Sequence, residues 1–394
     1  MTTLDLPADL VYDPHDRDTL FDPHALLRRM RDEAPLYYSE EHDFYALSRF
    51  EDVERSIIDR ATFISGRGGT LEIIKSGVVI PPGTVAFEDP PTHAIHRALL
   101  SRMFTPKRVT SLEPEIRQMC ADLLDPFVGA DRFDLIEVVG KQVPMRVISK
   151  LLGIPESDQE SVRDAFGEST QRELSEESMS GEMFAEYIDW RTDNPSDDIM
   201  TQLMVVEFED ETGATRRLTR SELLAYVHLV AGAGNETTDR LIGWMGKLLS
   251  DHPDQRRLLV EDRSLVPNAV EEALRLEPPL LQTCRYVDAD VELYGHVVPE
   301  GSVMALVIGA ANRDERKIDD PDRFDVRREQ SPHFSLGFGP HYCLGQALAR
   351  LEARLVLEAL LERFPDWEVD WSAAVFNPTG AELRGWKALP LVVG

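Results

Sequence analysis

The chain has 394 residues and sets 71 Asp and Glu against 42 Lys and Arg, a formal net charge of −29 at pH 7. That acidity excludes nucleic acid and anionic membrane surfaces as partners, because both repel it. No stretch approaches the roughly 18 apolar residues of a membrane helix, and the length leaves room for a large core in one domain or several.

Met1 to Leu10 has neither a basic n-region nor an apolar h-region, so neither a signal peptide nor a membrane anchor is expected. Cys120, Cys284 and Cys343 are few and far apart, which fits a reducing cytoplasm and no disulfide scaffold. A short helical pattern surrounds Leu26 to Met30, and the alternation at 43–48 predicts a strand. Residues 65–88 are rich in Gly and Pro and carry Leu71, Ile73, Ile74 and Val78. They form a long connection, and long ordered connections are often functional. From Pro91 a helix is expected through Met103; His93 and Arg97 stand four apart on it and share a face. Alone, such a pair is usually a solvated polar stripe. Helical patterns follow at Leu112–Val128 and Val143–Leu152, and residues 156–195 are acidic and rich in Ser and Glu.

Residues 221–250 carry the longest helical pattern, with Leu223, Leu224, Val227, Val230, Leu241 and Leu248 as its apolar positions. Its centre, Ala231-Gly232-Ala233-Gly234-Asn235-Glu236-Thr237-Thr238, is unusual. Each mid-helix Gly costs about 1 kcal/mol against Ala. Small residues there permit close approach of another group, and a Thr hydroxyl can bond back to the preceding turn. The plain alternative is a kinked core helix with a solvated Glu. Residues 266–276 predict another helix, on which Glu272 and Arg275 meet at three-residue spacing, an arrangement common on helix surfaces. Arg285 opens a strand, and residues 303–308 read as a buried one.

The most specific stretch is Ser335-Leu336-Gly337-Phe338-Gly339-Pro340-His341-Tyr342-Cys343-Leu344-Gly345. Gly337, Gly339 and Pro340 fix a tight loop. Leu344, Leu348, Leu351, Leu355 and Ala359 predict an amphipathic helix behind it. Cys343 then stands at a helix start, where open N–H groups and the dipole favour thiolate. A thiolate so held suits a soft metal centre such as haem iron. Gly345 would let a flat macrocycle lie close to the helix. A buried structural cysteine beside a Gly-rich turn is the plain alternative.

In this loop and in Ala233-Gly234-Asn235-Glu236-Thr237 the chain resembles the cytochrome P-450 family in its bacterial form. The resemblance covers essentially the whole chain. It implies one domain over residues 1–394, mainly α with small β-sheets, a β-rich N-terminal portion and a larger helical one. It implies haem b, with Cys343 as the axial iron ligand and with His93, Arg97, Arg285 and His341 on the propionates. Ala233 and Gly234 would form an oxygen groove in which Glu236 and Thr237 deliver protons. Glu272, Arg275 and Arg323 would form a buried network that locks the cysteine loop. Leu280, Leu281 and Leu383 would line the substrate pocket, and the stretch at 156–195 would supply a lid. Leu336 departs from the family, which usually has Phe or Trp there.

The activity implied is monooxygenation of an apolar small molecule (steroid or terpenoid, fatty acid, or aromatic) by a cytoplasmic monomer. A peroxide-driven peroxygenase and a non-catalytic haem sensor or carrier are the alternatives. The Gly-x-Gly pairs lack the third glycine and the βαβ context of a nicotinamide site, so electrons must come from outside. The resemblance implies a ferredoxin and its reductase as partners. Arg102, Lys107, Arg108, Arg350 and Arg354 are the expected docking patch on the cysteine side.

Overall fold

A capping box starts the helix around which the chain is built. Thr219 accepts from the Glu222 N–H, and the Glu222 carboxylate accepts from the Thr219 N–H at 2.7 Å. These bonds satisfy two donors that a helix start leaves open. The helix then runs unbroken over Arg220–Asp251, about 48 Å at 1.5 Å per residue. The computed structural model describes residues 4, 6–162, 174–329 and 331–394.

This long helix packs against the helices Gln142–Leu152, Val266–Leu276 and Gln346–Arg363. All six of its expected apolar positions are buried. Each such side chain contributes roughly 1.5–3 kcal/mol by leaving water. Gly234 has a packing reason: a Cβ there would lie 3.0 Å from Ile148, so the glycine lets the 142–152 helix approach. The expected 112–128 helix is seen as Glu113–Leu124.

A smaller layer is β. Five strands lie in the spatial order Leu36–Ser39, Phe44–Leu47, Val303–Leu306, Thr283–Val287 and Phe63–Ile64. Phe44–Leu47 runs parallel to Val303–Leu306 with Ala46 opposite Ala305, and the other pairings are antiparallel. A second apolar cluster, including Leu47, Phe50, Met304 and Phe334, lies on this layer. The fold is therefore mainly α-helical with small β-sheets, as expected. Among the described residues no helix is long and apolar enough to cross a membrane.

The long connection and the expected lid both contain short helices. The 65–88 connection holds a short helix, Leu71–Ser76, capped by Thr70, and a turn of 3-10 helix at Val85–Phe87. Residues 163–173 of the expected lid lie outside the described residues. Beside them stand the helices Glu176–Met179 and Ala185–Asp193.

The cysteine loop is held from behind. Gly337 and Gly339 take φ of +74° and +65°, backbone that side chains disfavour. The Cys343 N–H donates to the Leu336 carbonyl at 2.7 Å, closing the loop on itself. Asn312 accepts from the Phe334 N–H at 2.8 Å and donates to Ser335 Oγ, which in turn donates to the Leu274 carbonyl at 2.6 Å. Next to Leu274 on the same helix, Arg275 makes a two-pronged pair with Glu272 at 2.8 Å and donates to the Asn312 carbonyl.

The third expected member of this network is a correction. The Arg323 side chain is 60% exposed and faces Asp325 at 3.5 Å; only its carbonyl turns inward. Arg328 takes the place instead. It donates to Glu272 at 2.9 Å and to the carbonyls of Asp319, Asp320 and Arg323. The chain reverses through Asp320, at φ +47°, and the turn that follows brings Arg328 back to the carboxylate. Removing Arg328 leaves Glu272 its pair with Arg275 but takes away one buried guanidinium bond and the donors to three loop carbonyls, a loss of about 2–3 kcal/mol at charge-assisted strength. Arg328→Ala is thus expected to lower the urea-unfolding free energy by about that amount and Arg323→Ala by less than about 0.5 kcal/mol. Equal effects would return Arg323 to the network.

Candidate active site

The long helix and the cysteine loop face each other across a cavity of about 410 Å³. One wall is Ala233, Gly234, Thr237 and Thr238; the other is Leu336, Cys343, Gly345 and Leu348. Thr237 Oγ donates to the Ala233 carbonyl at 2.9 Å, the back-bond its position on a buried helix favours. A Cβ added at Gly345 would meet nothing within 4 Å, so this stretch of the lower wall stays flat and open.

One rim of the cavity is basic. Arg97 donates to the Tyr342 carbonyl, and Arg285 donates to the Cys284 carbonyl at 2.7 Å and to Thr283 Oγ1 at 3.2 Å. Among the described residues neither arginine pairs with a carboxylate. Burial lowers the pKa of both guanidinium groups, yet arginine stays charged, so among the described residues a buried cation, Arg285, and a half-buried one, Arg97, stand at the rim without carboxylate counter-ions. Such a rim calls for anionic groups on whatever fills the cavity. His341 lies between them, and its pKa is pushed down to about 3 by burial and then by His93, Arg285 and Arg97. It is neutral and can donate one N–H. His93 is nearly fully buried and stacks on His341 with ring centroids 4.1 Å apart. It stands behind the rim and orients His341; it does not line the cavity.

Cys343 lies in the lower wall, three residues before the first residue of the Gln346–Arg363 helix. Burial pushes its thiol pKa up, opposed by a hydrogen bond from the Gly345 N–H and by the charges of Arg97 and Arg350. The helix start therefore does not by itself produce a thiolate, contrary to the expectation from sequence.

Three other expected site residues sit elsewhere. Glu236 is on the neighbouring face of the long helix and does not line the cavity; burial raises its pKa, with Arg240 opposing. Leu281 is fully buried beside Gly309, which leaves room for it, and so is part of the core. Leu383 pairs across a short bridge with Leu280 and also points away, while Leu280 lines the cavity as expected. Along an extended segment the faces alternate, so Leu280 and Leu281 cannot both face in. For the same reason Glu382, not Leu383, reaches the cavity.

Glu382 carries no signal in the sequence, because nothing local marks a carboxyl that lines a largely apolar wall. It accepts from the Leu71 N–H at 2.9 Å, and Glu72 accepts from the Ala381 N–H at 3.1 Å. The two acids thus clamp the 71–76 helix to the 380–383 turn. Burial, then the Glu72 charge, raises the Glu382 pKa to about 8. The folded state therefore holds a proton that the unfolded chain releases above about pH 4.5, and stability falls as pH rises from there to about 8. Glu382→Gln keeps the acceptor and mimics the protonated acid. Its unfolding midpoint in urea is expected to match the parent near pH 4.5 and to exceed it at pH 8, by on the order of 1 kcal/mol. Parallel pH profiles for the two proteins would refute the shared-proton clamp.

Comparison with known proteins agrees with this geometry. The family model "Cytochrome P450" matches residues 157–373. A putative cytochrome P450 123 of Mycobacterium tuberculosis is 34% identical, over 98% of this chain and 97% of the relative. Cytochrome P450 CYP109Q5 from Chondromyces apiculatus has a solved structure that superposes with a TM-score of 0.86 at 33% identity. It covers 97% of this chain and 98% of its own. A mutant of P450 EryK in complex with erythromycin B gives a TM-score of 0.86 at 30% identity, over 98% of both chains. With sequence and fold both matched from end to end, the chain belongs to the cytochrome P450 family of monooxygenases.

Proposed function

We propose that this protein is a haem-thiolate monooxygenase that inserts one oxygen atom of O2 into an apolar small molecule, using electrons from an external ferredoxin. The observation that carries this reading is the cavity itself, with Cys343 in one wall, Thr237 in the other, and on the rim between them two arginines without a carboxylate partner among the described residues. The residues fit haem b. Cys343 would ligate the iron, the open face at Gly345 would accept the macrocycle, and Arg97, Arg285 and His341 would take the two propionates through charge-assisted bonds. When bound, haem supplies the activation of dioxygen.

The chain's own residues supply positioning, dryness and protons. The Thr237 hydroxyl, fixed by its bond to the Ala233 carbonyl, holds a proton at the cavity wall. Glu236, one residue before it, is a buried acid whose pKa burial raises, and it would replenish that proton. Val85, Phe87, Leu100, Ile148, Val230 and Leu280 make the substrate end apolar and exclude water. This supports a steroid, terpenoid, fatty acid or aromatic substrate. The erythromycin B bound to EryK supports extending that range to larger secondary metabolites. Cys343→Ser is expected to abolish the red-shifted carbon monoxide band of the reduced protein, the signature of thiolate ligation. A surviving band would refute the ligand assignment and the function built on it.

The expected docking patch is narrower than its sequence suggested. Arg350 is tied to Glu271, Arg354 to Glu113 and Glu358, and Arg108 to Gln202. Arg102 and Lys107 are exposed and, among the described residues, without partners. They are the bases free to meet an acidic iron–sulfur protein, whose approach they would steer. Reversing both to Glu is expected to slow reduction by ferredoxin at least several-fold at low salt. The difference should shrink as the Debye length falls below about 8 Å, with the ultraviolet–visible spectrum unchanged. Reduction rates equal to the parent's at low salt would exclude these bases.

A further inference from the structure

We propose that Asp239 is a second proton station on the long helix, passing protons from the surface pair Glu137–Lys141 to Glu236. The inference rests on the role proposed above for Glu236 and Thr237.

Asp239 lies one turn beyond Glu236, and the two carboxyls share a helix face with Arg240 at the next position. Its side chain is more than nine-tenths buried, and its Oδ1 has no hydrogen-bond partner. An acid held this way without a partner costs stability and needs an explanation. The backbone opposite is shaped around it. Residues Ile136–Gly140 form a turn of π-helix, a widened geometry that recurs at functional sites. That turn sets Gly140 so close that a Cβ would lie 2.6 Å from Oδ1. Immediately beyond it Lys141 pairs with Glu137, with side chains 27% and 56% exposed, so the turn joins the buried carboxyl to solvent.

Four charged groups act on Asp239: Arg240 and Glu236 from its own helix, and Lys141 and Glu137 from the π turn. Burial dominates and raises its pKa, the two cations oppose, and the two acids add to the rise, to about 7. A carboxyl poised there gives and takes protons equally well at neutral pH. Arg240 is a fixed counter-charge and no carrier, since it donates to the Trp386 carbonyl at 3.1 Å and to Thr379 Oγ1 at 3.3 Å. The step moves only protons. Glu236 gives its proton toward Thr237, Asp239 returns one to Glu236, and Asp239 is refilled from water by way of Lys141 and Glu137. Asp239 touches neither substrate nor cofactor and acts through Glu236.

The test uses the haem-loaded protein, reduced by ferredoxin in air, with oxygen consumption followed from about pH 6 to about pH 8.5 in water and in deuterium oxide. Asp239→Asn is expected to slow consumption about 10-fold or more, to flatten the pH profile around pH 7 and to enlarge the solvent isotope effect. Asp239→Glu is expected to restore part of the rate. Parent-like rate, profile and isotope effect in Asp239→Asn would overturn the proposal. Thr237→Ala and Glu236→Gln run beside it. If they too behave as the parent, the oxygen-activating reading has failed, and the relay with it. If they alone are impaired, only the relay has failed. Should Asp239→Asn not retain haem, the exposed double variant Glu137→Gln with Lys141→Gln carries the test. It must show the same slowing and isotope effect, and parent-like values would overturn the proposal.

Discussion

The buried carboxylate of Glu272, held between Arg275 and Arg328, is the interaction on which the rest depends. Three charges are taken out of water at one point, and such a cluster contributes little net stability against well-packed apolar side chains. Its value is geometric. Arg275 also holds the Asn312 and Pro321 carbonyls, and Asn312 holds Phe334 and Ser335. The loop that ends at Cys343 is thereby referenced to the helix Val266–Leu276. A flexible loop could not hold a thiol against a fixed wall, and the ion cluster removes that flexibility.

Across the cavity the requirement is different. The long helix must be buried and yet carry polar groups to the site. It does so by separating faces: Thr237 and Leu241 face the cavity, Glu236 and Asp239 share the next face with Arg240, and Leu223 and Leu248 lie in the core. Glycine serves two purposes here. Gly234 admits the 142–152 helix, and Gly140 admits the Asp239 carboxyl. In both places the cost of glycine to the backbone is offset by an approach no other residue allows.

The cavity's charges also have a common logic. Among the described residues its basic rim lacks protein counter-ions, its histidine is kept neutral by burial and then by the same cations, and its acids Glu352 and Glu382 are raised toward neutrality by burial. Anionic groups are therefore welcome at one edge only, and the remaining wall is mostly apolar, its acids Glu352 and Glu382 aside.

Much of this was legible in the order of residues. The Gly337–Gly345 loop, the Ala233–Thr237 break in an apolar helix and the His93–Arg97 spacing are local patterns, and local patterns follow from backbone preference and helical period. They led to the fold, the facing walls and the family. What depended on the tertiary structure was which way individual side chains turn. Arg328, and not Arg323, meets Glu272 because a turn through Asp320 reverses the chain. Glu382 and Leu280 reach the cavity while Leu281 and Leu383 do not, because alternation fixes only that neighbours differ, and packing on Gly309 chooses between them. The Cys343 thiol pKa is raised, because burial, which no spacing reports, outweighs the helix start. Sequence determined the kinds of groups and their intervals along the chain. Desolvation and contact between distant segments decided which of them face each other and in what state of charge.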